Sequence, residues 1–464
     1  GLKMEIQSIK QTEPIPKIKP IEAVETEIKK DDKPKDSFSS KEDFISKEAL
    51  SGIILFIATI AAVIVANSAW GAEYYNLWHM PLGITLGDKT ISMSLTYWIN
   101  DGLMALFFLM VGLEIKREMV IGELSSVSKA SFPIVAALGG MVIPALIYVA
   151  FNPDNFIGFG IPMATDIAFA LGILMLLGTK VNPALKLFLM ALAVVDDLGA
   201  VLVVATVYTS EIKVEYFLHA GITYALIWFL NYSGVKKILP YLILGVFLWV
   251  FIHEIGIHAT IAGVLLAFAI PISSKINEKQ FIEKTRESVD DFEKNIDTIP
   301  ILNHHQIDAL EGIAHGYDKV QNPLVRLEHN LHGISAFFIM PLFAFSNAGV
   351  LIDFSTVSAN LMIVLGVLFG LILGKPIGIV GFTYILTKLR IIKKPDNISW
   401  FEVIAVGFLG GIGFTMSIFI THLAFNDEGI IAAVKLGIFA ASLIAAILGV
   451  ILVLASSKKL KDRV

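Results

Sequence analysis

Long apolar stretches alternate with short polar connections through most of this 464-residue chain. A membrane-spanning helix needs about 20 mostly apolar residues, and stretches of that order recur along the sequence. They lie at residues 48–67, 95–116, 131–151, 156–178, 183–209, 215–233, 238–252, 257–272, 331–351, 360–387, 401–423 and 429–456. The pattern predicts an all-α polytopic membrane protein with about twelve transmembrane helices.

A different pattern separates the first two apolar stretches. Residues 84–93 alternate apolar and polar positions around Gly87 and Asp88. A two-residue turn that begins with glycine commonly joins antiparallel strands, so this segment is predicted to be a β-hairpin. Because an isolated hairpin is marginally stable in water, we expect it to pair with a second subunit.

The remaining polar segments set the domain organisation. Residues 1–46 are rich in Lys, Glu, Asp, Pro and Ser and hold few large apolar groups, which predicts a disordered cytoplasmic tail, with a partner-binding segment as the alternative. Residues 47–457 form the predicted transporter domain, with a long loop at 273–328. Residues 458–464 form a short basic tail.

Charge placement predicts the orientation of the spans. Basic residues concentrate in the connections at 116–129, 180–186, 236–237, 273–330 and 388–394, which alternate with connections that are nearly free of them. Lys and Arg favour cytoplasmic loops close to the membrane. Twelve spans with both termini in the cytoplasm satisfy this alternation.

Composition agrees with a membrane protein and limits its chemistry. Charged residues make up 17% of the chain, against about 25% in soluble proteins, and the mean hydropathy is +0.73. The chain has no cysteine, which excludes disulfide and thiolate chemistry.

Two adjacent carboxylates interrupt the fifth apolar stretch. Asp196 and Asp197 are the only charged residues between Leu187 and Ser210. One carboxylate at the centre of a membrane helix costs at least about 2.5–3.5 kcal/mol, and each of the two disfavours ionisation of the other. Such a pair indicates a site that a cation visits.

Two further stretches contain helix breakers. Pro162 is followed by Thr165 and Asp166 in the fourth stretch, and the glycines between 407 and 413 are followed by Thr415 in the eleventh. Unwound backbone at membrane depth is tolerated only where it is buried or lines a cavity. Interrupted helices in corresponding places indicate inverted-topology repeats, here stretches three to five and ten to twelve, with the site where the two broken helices cross.

Other charged residues in the spans are candidates for supporting roles. Lys375 stands alone in the tenth stretch, where it would pair with a carboxylate or offset the negative end of a half-helix. Glu114 and Glu118 are four residues apart on one helical face, which fits either a charged helix end or an acidic mouth that concentrates cations. Asp101 lies in the same stretch.

Several of these segments together resemble the NhaA-type sodium/proton antiporters. The resemblance covers about residues 48 to 456. It rests on Trp98-Ile99-Asn100-Asp101-Gly102-Leu103-Met104, Val111-Gly112-Leu113-Glu114-Ile115-Lys116-Arg117-Glu118, Ala164-Thr165-Asp166-Ile167-Ala168-Phe169-Ala170, Ala193-Val194-Val195-Asp196-Asp197-Leu198-Gly199-Ala200, Gly374-Lys375-Pro376 and Gly411-Ile412-Gly413-Phe414-Thr415-Met416-Ser417.

The resemblance implies an activity and an assembly. It implies electrogenic, pH-regulated export of Na⁺ or Li⁺ in exchange for a larger number of inward protons, with no enzymatic activity and no cofactor. It implies twelve helices with a crossed, broken fourth and eleventh, in a bacterial inner membrane. It also implies a homodimer through a periplasmic hairpin, here residues 84–93, and no nucleic-acid partner.

The resemblance also implies roles for individual residues. Asp196 and Asp197 would carry the ion and the protons, with Thr165 and Asp166 as further ion-binding residues. Asp166 and Lys375 would offset the dipoles of the broken helices, and Lys375 would pair with Asp196. Asp101, Glu114 and Glu118 would line the cytoplasmic funnel. His258 matches a position linked to the pH response, with an ordinary interfacial histidine as the alternative, and Glu328 completes the set for the funnel and the pH response.

Two features depart from that resemblance. The first 46 residues and the 273–328 loop are longer than is usual. His304, His305 and His315 lie in that loop, where they fit either a solvated surface or a metal site.

The expected mechanism is competition between cation and proton for the same carboxylate oxygens. Two other classes of membrane protein use similar residues. An intramembrane aspartyl protease needs two facing carboxylates, and consecutive helical residues such as Asp196 and Asp197 project about 100° apart; Asp166 with either of them would still fit. A passive channel would conduct cations without proton counter-movement.

Overall fold

A computed structural model describes residues 40–86, 89–209, 212–296 and 301–461. In these ranges the chain is mostly α-helical, with one two-stranded sheet. The helices are α1 (Ser40–Ala66), α2 (Gly71–His79), α3 (Leu95–Ile121), α4 (Val127–Phe151), α5 (Ile167–Leu176), α6 (Pro183–Thr206), α7 (Glu215–Tyr232), α8 (Ile238–Ile255), α9 (Ile261–Ala269), α10 (Glu278–Lys294), α11 (His304–Val320), α12 (Pro323–Ile334), α13 (Met340–Asn347), α14 (Phe354–Ala359), α15 (Leu361–Lys388), α16 (Trp400–Gly410), α17 (Phe414–Ala424) and α18 (Glu428–Lys461).

The described helices include seven that are long and apolar enough to cross a bilayer. These are α3, α4, α6, α8, α15 and parts of α1 and α18, and the bent pair α16–α17 makes an eighth. The protein is therefore a multi-pass membrane protein. The other predicted spans hold α5, α7, α9 and the run from α12 to α13, which are shorter or more polar, so the count of twelve stays a prediction.

The predicted β-hairpin is confirmed. Strand β1 (Pro81–Leu86) pairs antiparallel with β2 (Lys89–Ser94), with Leu86 opposite Lys89. The turn residues 87–88 lie outside the described ranges. The hairpin is attached to the start of α3, because the indole N–H of Trp98 donates to the carbonyl of Leu82 at 2.9 Å.

The long 273–328 segment has more regular structure than the loop we expected. It contains α10 and α11, and each helix begins with a capping box, Asn277 with Gln280 and Asn303 with Gln306. The histidines at 304, 305 and 315 lie on α11. Among the described residues, no three His, Asp or Glu side chains come together as a metal site would require.

The predicted tails are only partly described. Residues 1–39 and 462–464 lie outside the described ranges, so the predicted N-terminal disorder stays a prediction. Helix α1 begins at Ser40, earlier than the apolar stretch that starts near residue 48. Helix α18 continues to Lys461 and so includes the start of the predicted basic tail.

Helices α4 and α15 are in close backbone contact at a pair of glycines. A Cβ atom on Gly139 would lie 2.0 Å from the carbonyl oxygen of Gly378, and one on Gly378 would lie 1.9 Å from that of Gly139. Only glycine permits this approach, as in other closely packed membrane helices. Lys375 lies one turn before Gly378 on α15, so this contact also positions the lysine.

Candidate functional site

The predicted break in the fourth apolar stretch is present. A 3₁₀ helix (Phe156–Gly160) leads into irregular backbone that contains Pro162, and α5 begins at Ile167. Asp166 caps α5, since its Oδ1 accepts a hydrogen bond from the amide of Phe169 at 3.0 Å. The carboxylate therefore lies at the positive end of a short membrane helix, where a negative charge is favoured.

The predicted break in the eleventh stretch is present as well, and the two breaks contact each other. Helices α16 and α17 bend by 47° across the glycine segment between them. The amide of Asp166 donates to the carbonyl of Ile412 at 2.7 Å, and the hydroxyl of Thr165 donates to the carbonyl of Gly410 at 2.8 Å. Each break thus supplies hydrogen-bond partners to backbone groups that the other leaves outside a helix.

Asp166 also joins the second broken helix through its side chain. Its Oδ2 accepts from the amide of Thr415 at 3.0 Å and from the hydroxyl of the same threonine. Oδ1 of Asp166 thus caps α5 while Oδ2 bonds the start of α17, so the one carboxylate links the two broken helices.

Helix α6 brings Asp196 against this crossing. Its Oδ2 lies 2.7 Å from Nζ of Lys375 and 2.9 Å from the hydroxyl of Thr165, whose single proton is shared between this oxygen and the Gly410 carbonyl. Its Oδ1 is buried and has no hydrogen-bond partner among the described residues. Buried polar atoms are nearly always paired, so this oxygen is a candidate ligand for an ion.

Asp197 follows on the next position of α6 and is also buried. No hydrogen bond among the described residues involves its carboxylate. Its electrostatic neighbours are Glu114, Asp196, Asp166 and Lys375. Four carboxylates and one lysine therefore share this region, which leaves an excess of negative charge that a cation or protons would balance.

The structure brings together part of the group of acidic residues predicted for the cytoplasmic funnel. Arg117 on α3 bonds both oxygens of Glu328 on α12, at 2.9 and 3.0 Å, and lies 2.7 Å from Glu118. Glu114 has Glu328, Arg117, His332 and Glu118 as electrostatic neighbours. The structure thus joins Glu114, Glu118 and Glu328 at one end of α3.

Asp101 does not belong to that group, contrary to our expectation. It lies in a π-helical segment (Trp98–Leu103) near the opposite end of α3, next to the β-hairpin. Thirteen residues separate it from Glu114, which is about 20 Å along a helix. Its Oδ1 lies 3.2 Å from Nε2 of His258.

A cavity of about 550 Å³ adjoins the pair formed by Asp101 and His258. Asp101 and His258 line it together with His253, whose ring lies 2.6 Å from the hydroxyl of Tyr97. Two predicted site residues therefore lie together, but at the hairpin end of α3 and away from Glu114 and Glu118.

Comparison with known proteins assigns the family. The family model described as Na+/H+ antiporter 1 matches residues 42–453. The chain belongs to the NhaA family of Na⁺/H⁺ antiporters.

Similar NhaA proteins align over nearly their full length. The chain is 70% identical to Na(+)/H(+) antiporter NhaA 1 of Aliarcobacter butzleri over 89% of this chain and 96% of that protein. It is 60% identical to NhaA 2 of the same organism, over 92% and 100%. It is 49% identical to NhaA of Wolinella succinogenes, over 88% and 91%.

A more distant likeness is to a solved structure of the sodium proton antiporter MjNhaP1 from Methanocaldococcus jannaschii at pH 8. It covers 86% of this chain and 96% of that chain, with 15% identity and a TM-score of 0.38.

One link at the start of α6 in this NhaA-family chain was not predicted from its sequence. Asn182 caps α6 and donates through Nδ2 to Glu402 Oε1 at 3.2 Å and to the carbonyl of Asn397 at 2.8 Å. Glu402 completes a capping box with Ser399 at the start of α16. Asn-Pro before α6 and Ser-x-x-Glu before α16 are recognisable cap signals, but neither signal indicates that the two caps touch.

Proposed function

We propose that this chain exports Na⁺ or Li⁺ in exchange for a larger number of inward protons. The exchange would be electrogenic, regulated by pH and located in a bacterial inner membrane. Membership of the NhaA family supports this proposal, since its similar members are named Na(+)/H(+) antiporters. The relevant ligands are transported ions, and no cofactor or enzymatic step is required.

The observation that carries the proposal is the buried Oδ1 of Asp196, which has no hydrogen-bond partner among the described residues, with the buried Asp197 at the next position of α6. Hard cations such as Na⁺ bind oxygen ligands, and broken-helix carbonyls provide further ones. Thr165 contributes a hydroxyl oxygen next to the same carboxylate. We assign Asp197 as the indispensable ion ligand and Asp196 as its lysine-coupled partner.

Competition for these oxygens would couple the two fluxes. A proton on either carboxylate removes the charge that attracts Na⁺, while a bound Na⁺ excludes the proton. Lys375 is a third competitor, because it already neutralises Asp196 at 2.7 Å. The two aspartates would titrate as a pair rather than as independent groups, and movement of the repeats would expose the site to each side in turn.

The acidic group at one end of α3 would form the cytoplasmic funnel. Glu114, Glu118 and Glu328 outnumber the single Arg117 that bonds two of them. A cleft with an excess of one charge concentrates ions of the opposite charge. Asp101 and His258, at the other end of α3, would instead act in the pH response at the opposite mouth.

The architecture proposed for this cycle has twelve spans with both termini in the cytoplasm. The two sets of helices in the proposed inverted repeats have matching orders: α4, the broken segment with α5, and α6; then α15, the broken pair α16–α17, and α18. An odd number of spans per repeat inverts its topology. The β-hairpin at 84–93 would join two such chains in a homodimer.

The two other classes fit the geometry less well. An aspartyl protease needs a pair of carboxylates free to share a water, whereas both oxygens of Asp166 already accept hydrogen bonds from the two broken helices. A channel has no need for a buried lysine–aspartate pair, whose desolvation is costly.

The deciding experiment measures Na⁺-dependent dissipation of ΔpH in inverted vesicles that contain Asp197→Asn. We expect exchange to be abolished, while the matched change Asp154→Asn in an exposed connection leaves it intact. Normal exchange by Asp197→Asn would overturn the proposal. Proteoliposomes would then test coupling, because cation flux without proton counter-movement would identify a channel.

A further inference from the structure

A cavity of about 860 Å³ lies where three helices end, at the start of α6, the start of α16 and the end of α18. Helices α6 and α18 are each long and apolar enough to cross a bilayer, and α16 is half of the bent span α16–α17. The cavity is remote from the ion site, because Asp196 lies 13 residues, or about 20 Å, beyond Pro183 along α6. The ends of membrane-spanning helices lie at the level of the lipid head groups.

The lining of the cavity includes two charged side chains, which have opposite signs. Lys180 is exposed and ends the 3₁₀ turn before α6 (Gly178–Lys180), which packs against α18. Glu402 is only 3% exposed and lies on the first turn of α16. A cationic and an anionic group are therefore available to one ligand.

The carboxylate of Glu402 has neutral partners in the described part of the chain. Its Oε2 accepts from the amide and the hydroxyl of Ser399, whereas Oε1 accepts one hydrogen bond, from the Asn182 amide group at 3.2 Å. The start of α16 favours a negative charge here, but a carboxylate oxygen can accept two hydrogen bonds, and a buried carboxylate is normally paired with a cation. A cationic donor in the cavity would complete the environment of Oε1.

The α18 wall of the cavity presents hydroxyl groups from Ser456 and Ser457. Ser456 is 6% exposed and makes no hydrogen bond with another described residue. A serine inside a helix commonly bonds the carbonyl four residues earlier, and buried polar groups are nearly always paired. The Ser456 hydroxyl is therefore a donor for a ligand in the cavity, on the same wall as the turn that carries Lys180.

The rest of the lining is largely apolar and adjoins the outer surface of the helices. Val181, Leu185 and Val453 line the cavity. Leu187 on α6 and Leu454 on α18 lie within two residues of that lining and are exposed. A ligand with a polar head and an apolar body would satisfy both parts of this surface.

We propose that this cavity binds a phospholipid whose head group carries a primary ammonium group, as in phosphatidylethanolamine. The phosphate would accept hydrogen bonds from Lys180 and Ser456, and the ammonium group would donate to Oε1 of Glu402. The acyl chains would lie against the exposed apolar residues of α6 and α18. Bound in this way, the lipid joins the ends of three helices that the protein itself connects through the Asn182–Glu402 contact.

The charges of the lining distinguish this lipid from other phospholipids. Sites for anionic lipids are clusters of Lys and Arg, whereas here one lysine is accompanied by a buried glutamate that phosphatidylglycerol leaves without a cation. The trimethylammonium group of phosphatidylcholine is a cation without an N–H, so it gives Oε1 no hydrogen bond. Hydrogen bonds between an ammonium and a carboxylate are among the stronger ones in proteins.

Native mass spectrometry of the full-length protein in detergent tests the proposal, with dioleoyl phosphatidylethanolamine and dioleoyl phosphatidylcholine added in equal amounts. We expect the parent to retain the ethanolamine lipid in excess and Glu402→Gln to lose about tenfold of that preference. Glutamine also completes a capping box, so this variant removes the charge and keeps the cap. Glu428→Gln, at the exposed first residue of α18, is the matched control and should keep the preference.

A second arm tests the phosphate end of the site. Lys180→Met should reduce the retention of both lipids by a similar factor, since both carry the phosphate, while Lys129→Met at another exposed position should reduce neither. Melting curves in lipid-free detergent show whether each variant is folded, and a loss of lipid binding counts only for variants that melt as the parent does.

Three results would overturn the proposal. The first is equal retention of the two lipids by the parent, or an unchanged preference in folded Glu402→Gln. The second is preferential retention of dioleoyl phosphatidylglycerol when it is added with the ethanolamine lipid. The third is displacement of the lipid by an equal concentration of water-soluble glycerophosphoethanolamine, which would assign the cavity to a soluble ligand.

Discussion

Nζ of Lys375 lies 2.7 Å from Oδ2 of Asp196, and both side chains are almost completely buried although 179 residues separate them in the chain. Burial removes both charges from water, so each is stable as an ion only in the presence of the other. The pair therefore joins α6 to α15 and also controls which charge the remaining carboxylates present to an ion.

Removing the lysine should destabilise the fold. Lys375→Met leaves Asp196 buried without its cation, and breaking a buried pair in this way costs about 3–5 kcal/mol. The double variant Asp196→Asn/Lys375→Met should recover most of that loss, because both charges are gone. Thermal unfolding in detergent measures this, with Lys180→Met at an exposed site as the control. Equal stability of Lys375→Met and the parent would contradict the prediction.

Loss of the Asp166 carboxylate should separate the two broken helices. Asp166→Ala removes the cap of α5 and leaves the buried amide of Thr415 unpaired. A cap contributes about 0.5–2 kcal/mol, and an unsatisfied buried donor costs about 1–3 kcal/mol more.

Asp353 supplies a matched control for this prediction. It caps α14 by accepting from the amide of Ser355 at 2.9 Å, but it is exposed and bonds no second helix among the described residues. Asp353→Ala should therefore cost only the cap. Unfolding in detergent compares the two variants, and a smaller loss for Asp166→Ala than for Asp353→Ala would refute the assigned role.

Glycine at position 378 should be required for transport as well as for stability. Gly378→Ala places a Cβ 1.9 Å from the Gly139 carbonyl oxygen, which forces α4 and α15 apart and moves Lys375. Overpacking of this kind costs about 1–3 kcal/mol. Gly381→Ala on the same helix meets no atom within 4 Å and should leave exchange unchanged. ΔpH assays in vesicles and melting curves on both variants test the difference. Equal exchange and equal melting temperatures for the two variants would exclude the steric argument.

The contact between two helix caps should be energetically coupled. Glu402 bonds both the Ser399 cap of α16 and the Asn182 cap of α6. Asn182→Ala and Glu402→Ala should each destabilise the protein, and the double variant should lose less than the sum by about 0.5–3 kcal/mol. In the control, Asn277→Ala and Gln280→Ala change the exposed capping box of α10. These variants should lower the stability only by the loss of that one cap. Strict additivity at Asn182 and Glu402 would show that their contact contributes nothing.

Much of the fold follows from local patterns. The apolar stretches, the hairpin around Gly87 and the two helix breaks could be predicted because each depends on residues close together in the chain. The helices α10 and α11 could have been predicted from the Asn-x-x-Gln capping boxes at 277 and 303, but the polar character of the segment led to the expectation of a loop.

The site was predictable to a lesser degree. Asp196, Asp197, Asp166 and Lys375 stood out because a charge inside an apolar stretch is costly. The grouping of Asp101 with Glu114 was wrong, since residues of one helix share a site only when they are within about a turn of each other, and these lie at opposite ends of α3.

The sequence by itself thus determined which segments are apolar enough to enter a membrane, where their helices break and which charges they carry. Only the tertiary structure decided that Oδ1 of Asp196 has no partner in the described part of the chain while both oxygens of Asp166 have theirs. It also decided that Arg117 bonds Glu328 and that the caps of α6 and α16 touch. Apart from the local cap between Asp166 and Phe169, each of these depends on contacts between residues more than 200 positions apart, or on the absence of such contacts among the described residues. A local pattern of side chains does not encode which distant groups meet.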